Sequence, residues 1–397
     1  MRSDWLNDAQ WIEADVIRMR RHLHQYPEVS FQEEETSTYI YNKLVSYGLT
    51  DIQRNVGNGY GLVATIQGQG GTGGPVIALR ADMDALPIKE EADYPFPSKK
   101  SGIMHACGHD GHTAILLGVA HLVQRKRAEF RGTVMFIFQH GEEVKPGGAK
   151  SIIATGLLDN VDEIYGLHVD PQLTVGQMSY SMDYGSAASD TIKIDVQGRS
   201  GHASRPQEAI DSIIIASEII TNLQTLVSRT VDPFKPAVLT FGSVQAGGTA
   251  KNIIADQALI HGTIRTFSEE VRLHLKRKLI QMTEAIVGMN DGEVVVTYQD
   301  GYPALLNTAE LVKESVKVIK DKQVFDRVFE LSPTLIGEDF AYYLQDIPGA
   351  FFHLGISDKG SKNNYPLHHP KFSMNEASLL KGVQLFLAIL LNKLEVV

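Results

Sequence analysis

Val76-Ile77-Ala78-Leu79-Arg80-Ala81-Asp82-Met83-Asp84 is the stretch on which the fold turns. Its first four residues make an apolar run of strand length, and the run passes straight into charged side chains. Two further segments repeat that form. Thr133-Val134-Met135-Phe136-Ile137-Phe138 leads to His140-Gly141-Glu142-Glu143, and Glu163-Ile164-Tyr165-Gly166-Leu167 leads to His168. An apolar helix from about Thr113 to Val123 lies between the first two. Ile12, Val16, Met19 and Leu23 recur at helical spacing before Pro27. Short apolar strands alternating with helices predict an α/β sheet covered on both faces. Open sheets of this kind bind ligands at the carboxyl ends of their strands, and the charged clusters fall there.

Outward from this core the texture changes near residue 185. Ser186-Ala187-Ala188-Ser189 reads as a connector, and Thr191–Val196 then alternates like a half-exposed strand. A helix (Ile210 to Leu226), strands at Ala237–Val244 and Ala258–Thr266, a second helix (Glu269 to Val287) and a strand at Glu293–Tyr298 follow. Strand–helix–strand–strand–helix–strand is the order of a ferredoxin-like α+β unit. The expected organisation is a discontinuous α/β domain, residues 1–185 and 302–397, interrupted by an inserted domain, residues 186–301. The Gly-rich stretch Gly68–Gly74 lacks the Lys-Ser/Thr ending of a phosphate-binding loop and reads as a flexible hairpin tip.

Bulk composition narrows the function. The chain has 397 residues and a formal net charge of −10, against the basic excess usual in nucleic-acid binders. No apolar run is long enough for a membrane span, and the first ten residues have no apolar core of a secretory signal. The one cysteine, Cys107, cannot form an internal disulfide. A cytoplasmic protein with no nucleic-acid or membrane partner is expected.

The chemistry gathers at the strand ends. Between the first two strands lies Met104-His105-Ala106-Cys107-Gly108-His109-Asp110-Gly111-His112, and Leu367-His368-His369-Pro370 comes much later. Taken singly, Asp82 and Asp84 could form a turn, Glu142-Glu143 a solvated face, and His168 a hydrogen-bonded core residue. Histidines and carboxylates collecting beside the only thiol are better explained by a metal site. Thiolate, imidazole and carboxylate together suit zinc, manganese, nickel or cobalt, whereas magnesium and calcium prefer oxygen. Of two adjacent glutamates, one can hold a cation while the other faces water that the cation acidifies. That is the equipment of amide hydrolysis. A nucleobase deaminase is excluded, because His140-Gly141-Glu142 has no Pro-Cys-x-x-Cys partner. A non-catalytic, metal-stabilised binder of amino-acid conjugates would have no need of Glu142.

The ordered set resembles the M20 peptidase family, in its amidohydrolase branch. It comprises Arg21–Glu28, Ala81–Pro87, His105–Asp110, Glu142-Glu143, Gly201–Pro206, Gly337–Phe340 and Leu367–Pro370. The resemblance implies a zinc-peptidase-like catalytic domain and two divalent ions held by Cys107, His109, Glu143, His168 and His368, with the Cys107 thiolate shared. It implies Glu142 as general base, Asp84 as the carboxylate that orients a ligand imidazole, and His202 as the group polarising the scissile carbonyl, from the partner subunit of a homodimer built through the inserted domain. Asn252 and Arg265 would hold the substrate carboxylate. The implied substrate is an N-acyl-amino acid, with a dipeptide as the alternative. One departure is His369, where the family usually has Ser; it leaves two adjacent imidazoles as candidates for one ligand position.

Overall fold

The computed structural model describes residues 5–335, 337–360 and 364–396, and divides into two units. The first holds the residues through Gly185, Leu306–Ser332 and Asp339 onward; the second holds Ser186–Leu305 and Pro333–Glu338. The sequence pattern alone puts the far boundary at 302 and leaves 333–338 with the first unit. The loop joins the second because its backbone pairs there. Ala187 donates its N–H to the Thr334 carbonyl at 3.0 Å, and Arg265 Nε donates to the Leu335 carbonyl at 3.3 Å.

In chain order the principal elements of the first unit are α1 (Glu13–Gln25), α2 (Glu34–Ser46), β1 (Asp51–Val56), β2 (Gly61–Gln67), β3 (Val76–Asp82), α3 (His109–Arg125), β4 (Thr133–Gln139), β5 (Glu163–Thr174) and β6 (Gln177–Tyr180). The second unit supplies β7 (Ala188–Gln197), β8 (Gly201–His202), α4 (Ser212–Thr230), β9 (Ala237–Ala246), β10 (Ile253–Ile254), β11 (Gln257–Thr266), α5 (Glu269–Met289) and β12 (Glu293–Gln299). The chain returns to the first with α6 (Ala309–Asp321), β13 (Arg327–Glu330), β14 (Gly349–Ser357) and α7 (Ala377–Lys393).

The first unit is built on an eight-stranded sheet in the order β1-β2-β4-β3-β5-β14-β6-β13. Its centre, β4-β3-β5-β14, is parallel. Strands buried on both faces need no polar alternation, which is why β3 reads as one apolar run; from Ile77 to Asp82 every residue is buried. Helices α1, α3 and α7 pack together against one face, and the short helices Ala149–Ile153 and Asp339–Gln345 lie on the other. Helix α3 carries Ile115, Leu116, Leu117, Val119 and Val123 fully buried, and only His121, Gln124 and Arg125 near its end reach the surface. The Gly68–Gly74 stretch is not a hairpin tip. Strand β4 lies between β2 and β3, so the stretch crosses over the start of β4, where Gly68 N–H donates to the Gly132 carbonyl at 2.8 Å.

The second unit is a four-stranded antiparallel sheet, β9-β11-β7-β12. Numbering its strands along the chain gives the order 2-3-1-4 of a ferredoxin-like fold, with α4 and α5 supplying the helical half of the core. Along β7, Ile192, Ile194 and Val196 are buried while Lys193 is exposed. Asp211 caps α4, its carboxylate accepting the Ile213 N–H at 2.9 Å. No helix among the described residues is long and apolar enough to cross a membrane.

Candidate metal centre

The parallel strands deliver their polar ends to one place. Beyond β3 comes Asp84; beyond β4 comes a turn through Gly141 (φ +62°) that carries Glu142 and Glu143. Strand β5 continues to Thr174, so His168 lies within it and not at its end. Pairing of β3 with β5 stops at Arg80–Gly166, and His168 sits just past that parting. Cys107 and His109 flank Gly108, whose φ is +84°. A Cβ on Gly108 would stand 2.4 Å from Val169 Cγ2, so only glycine lets the start of α3 approach β5 this closely.

Cys107 Sγ lies 3.4 Å from His168 Nε2. His168 Nδ1 donates to the Val169 carbonyl at 2.7 Å, which leaves Nε2 with its lone pair. His109 is held in the same way, Nδ1 donating to the Asp84 carbonyl at 2.9 Å and lying 3.2 Å from Asp84 Oδ1. Asp84 also accepts from the Glu143 N–H at 3.0 Å, so one carboxylate sets both a ligand imidazole and the glutamate turn. His368 Nε2 stands 3.0 Å from Glu143 Oε1, off the line of a hydrogen bond. His368 has φ +64°, a conformation that costs a non-glycine residue on the order of 1–3 kcal/mol and that collects at functional sites.

The donor atoms of Cys107, His109 and His168 lie within 4.8 Å of one another, as do those of Cys107, Glu143 and His368, and those of His109, Glu142 and Glu143. The thiol is common to the first two groups. His369 is not in these groups: its Nδ1 accepts the Lys371 N–H at 3.0 Å and its ring stacks on Tyr365 at 4.5 Å. The site fits cations by its own chemistry. His109 Nε2 and Glu143 Oε1 are buried with no hydrogen-bond partner. Burial and the Glu143 charge push the Cys107 thiol well above its ordinary range, so a thiolate here calls for adjacent positive charge. Burial opposes charge on His109, but Asp82 and Asp84 raise its pKa well above the ordinary histidine value.

Below the cluster is a buried network that sequence reasoning missed. Arg80 donates to Asp82 Oδ2 at 2.6 Å and to Asp339 Oδ1 at 2.7 Å. Asp82 Oδ1 accepts from His112 Nδ1 at 2.6 Å, and His112 Nε2 accepts the Val169 N–H at 3.0 Å. Burial drives the His112 pKa down to about 4, as a ring with one donor and one acceptor nitrogen requires. Asp82, His109 and His112 also lie within metal-binding reach of one another, but Arg80 and His112 already engage Asp82. The available signal was Arg80 and Asp82 two apart at the end of a buried strand, where an unpaired charge could not persist.

The remaining expected residues lie in the second unit. His202 and Asn252 are neighbours: His202 pairs with Ile253 across β8 and β10, and Ala203 N–H donates to the Asn252 carbonyl at 3.0 Å. His202 is exposed, and Ser204 N–H donates to its Nδ1 at 3.1 Å. Arg265 is not with them. It sits near the far end of β11, bonded to Thr263 and to the carbonyls of Ile264 and Leu335. The eight steps from Gln257 to Arg265 span roughly 26 Å of strand. Within one inserted unit Asn252 lies before the Gln257 end of β11 and Arg265 near the other end.

A thiol shared by two sets of nitrogen and oxygen donors, at the strand ends of an α/β sheet, is the framework of a dinuclear metal centre. Residues 78–392 match the model of Peptidase family M20/M25/M40, and the chain belongs to that family. An N-acetyl-L-cysteine deacetylase of Bacillus subtilis (strain 168) is 40% identical over 371 residues, covering 94% of this chain and 86% of the relative. Thermostable carboxypeptidase 1 of Saccharolobus solfataricus is 37% identical over 380 residues, covering 95% and 94%. The crystal structure of the Bacillus subtilis YXEP protein, described as a dinuclear metal binding peptidase from the M20 family, matches with a TM-score of 0.81 at 34% identity. That match covers 96% of this chain and 99% of the other.

Proposed function

We propose that the chain is a metal-dependent amidohydrolase that uses two divalent ions to hydrolyse N-acyl-L-amino acids, releasing a carboxylate and a free amino acid. The observation that carries this reading is Cys107, whose thiol is common to the His109–His168 and Glu143–His368 donor sets, with Glu142 alongside. Those five residues would hold the ions, and the mixed donor set leaves zinc, manganese, nickel and cobalt all admissible. When bound, such ions polarise a carbonyl and acidify water towards neutral pH. Both relatives' names describe cleavage of an amide whose nitrogen belongs to an amino acid.

Each residue has a task fitted to its geometry. Glu142 takes the proton of the attacking water and returns it to the amine nitrogen as the C–N bond breaks. Asp84 fixes the His109 tautomer so that Nε2 is the free donor atom. Because the Ser204 N–H occupies Nδ1 of His202, the neutral ring carries its proton on Nε2, where it can donate to the carbonyl oxygen as negative charge develops. The planar fork of Arg265 suits the substrate carboxylate.

The separation of Arg265 from His202 and Asn252 supports a homodimer in which the second copy supplies His202 and Asn252. Ile213 and Ile214 on α4 and Val244 on the edge strand β9 are 45–53% exposed, apolar side chains that a second copy of the inserted unit would cover. A thiolate ligand favours a reducing compartment, in keeping with the cytoplasm.

The test is a hydrolysis screen of N-acetyl, N-benzoyl and longer N-acyl amino acids, beside dipeptides, with manganese or zinc supplied. Release of free amino acid from acyl-amino acids at higher kcat/KM than from dipeptides is expected. Faster dipeptide cleavage would make the chain a peptidase, and no turnover by metal-loaded protein would overturn the reading.

A further inference from the structure

The segment Glu28–Glu33 takes no part in the scheme above, yet it is built against the turn that carries Glu142. Glu33 is fully buried, and its Oε1 accepts the Gly141 N–H at 2.7 Å. Its Oε2 has no hydrogen-bond partner. Phe31, itself at φ +64°, fills the space beside Gly141; a Cβ there would lie 2.7 Å from the Phe31 ring. The same ring meets His140 edge-on at 5.4 Å. Ser30 Oγ donates to Asp84 Oδ2 at 2.6 Å, the oxygen that also accepts the Glu143 N–H. The segment is anchored in turn by Ala85 N–H donating to the Glu28 carbonyl at 2.8 Å.

A buried carboxyl is expensive to keep in an apolar position, and a leucine would fill similar space without that cost. Glu33 accepts the backbone amide of Gly141, one residue before Glu142, and its carboxyl also feels the amides of Phe31 and of Glu33 itself. We infer that Glu33 is a positioning residue: by accepting the Gly141 amide it fixes the left-handed turn that aims the Glu142 carboxylate, with Ser30 and Asp84 fixing the Glu143 side. The inference rests on Glu142 being the general base. Burial, with the Asp84 charge nearby, pushes the Glu33 carboxyl up to about 8, so an uncharged amide of the same shape is a close replacement.

The experiment compares Glu33→Gln with Glu33→Leu, each loaded with manganese, using whichever N-acetyl amino acid the wild type cleaves. Glu33→Leu should lose about 100-fold in kcat, the scale set by an ångström of misplacement. Its KM should stay within about threefold and its bound-metal content should be unchanged. Glu33→Gln, which keeps the acceptor, should restore kcat to within about threefold of wild type. Full activity in Glu33→Leu, or an equal loss in Glu33→Gln, would overturn the inference. Should Glu33→Leu fail to fold, or the wild type cleave nothing, amide exchange at Gly141 decides it. Slow exchange in wild type and Glu33→Gln supports the contact; exchange as fast as in an open loop removes it. A wild type that is inactive while Gly141 is protected counts against the proposed reaction and leaves the Glu33 contact standing.

Discussion

Cys107 Sγ and His168 Nε2 stand 3.4 Å apart across 61 residues of chain, the thiol from the approach to α3 and the imidazole from β5. A thiol this deeply buried, beside an acid, is a poor candidate for ionisation unless a cation shares its surroundings. Cys107→Ser should therefore empty both positions of the centre together. Loss of a partner behind a ligand already costs about 10- to 100-fold in metal affinity, and loss of the shared ligand should exceed that. Metal content after dialysis, by elemental analysis, checks it; one tightly held ion per chain would show that the thiol is not shared.

Glu142→Gln keeps the shape of the side chain and removes the proton acceptor. Turnover should fall by about 10²- to 10⁴-fold, the range supplied by general acid–base catalysis, with metal content unaltered. Single-turnover assays and elemental analysis on the same sample test this. Retained turnover would move the base elsewhere.

The inserted unit carries a buried ion pair with complete bonding. Arg272 reaches Asp190 through Nε at 2.9 Å and Nη2 at 2.6 Å, and Tyr298 and the Gly301 N–H complete the carboxylate. Asp190→Ala should destabilise this unit by up to about 3–5 kcal/mol, because Arg272 loses its buried carboxylate and keeps only Glu269 and the Gly301 carbonyl. Although burial opposes ionisation, Arg272, Gly301 and Tyr298 hold the Asp190 carboxyl below its ordinary value. A depressed folded pKa gives stability that is present above the unfolded value of about 3.9 and is lost as pH falls through the folded value. Thermal melts between neutral and acid pH should show that loss in the wild type, and Asp190→Asn should lack this component.

Arg265 lies near one end of β11 and Asn252 in the segment before its other end, and the proposed dimer makes a complementation test available. His202→Ala and Arg265→Ala should each be nearly inactive alone. Mixed and refolded together, they should regain about a quarter of wild-type activity, since random two-fold pairing completes one site in half of the dimers. No recovery, in a sample shown by light scattering to be dimeric, would place all three residues on one chain.

Much of the first unit is legible because strands buried on both faces must be apolar throughout, and their polar ends therefore stand out. Asp82, His140 and His168 mark the terminations or partings of β3, β4 and β5 in that way. Helix α3 and the βαββαβ order of the second unit are equally plain from periodicity. Other features are invisible for a physical reason: they depend on pairings between distant segments. Arg80 with Asp339, and Glu33 with Gly141, carry no local signature. The Pro333–Glu338 loop has no period, so nothing in it announces which unit it will join. The distance from Asn252 to Arg265 follows from strand register, which residue types alone do not set.

The place of β14 has a bearing on biosynthesis. It lies between β5 and β6, although it leaves the ribosome some 170 residues after them, an interval that follows directly from the residue numbers of the strands. Until it threads into that gap the central sheet has an open seam, and His368 has yet to emerge. All four main strands of the inserted unit, by contrast, are made as one unbroken stretch. The nascent chain can thus complete its middle before its beginning, and the metal-binding cluster cannot close until His368 has emerged, ahead of α7.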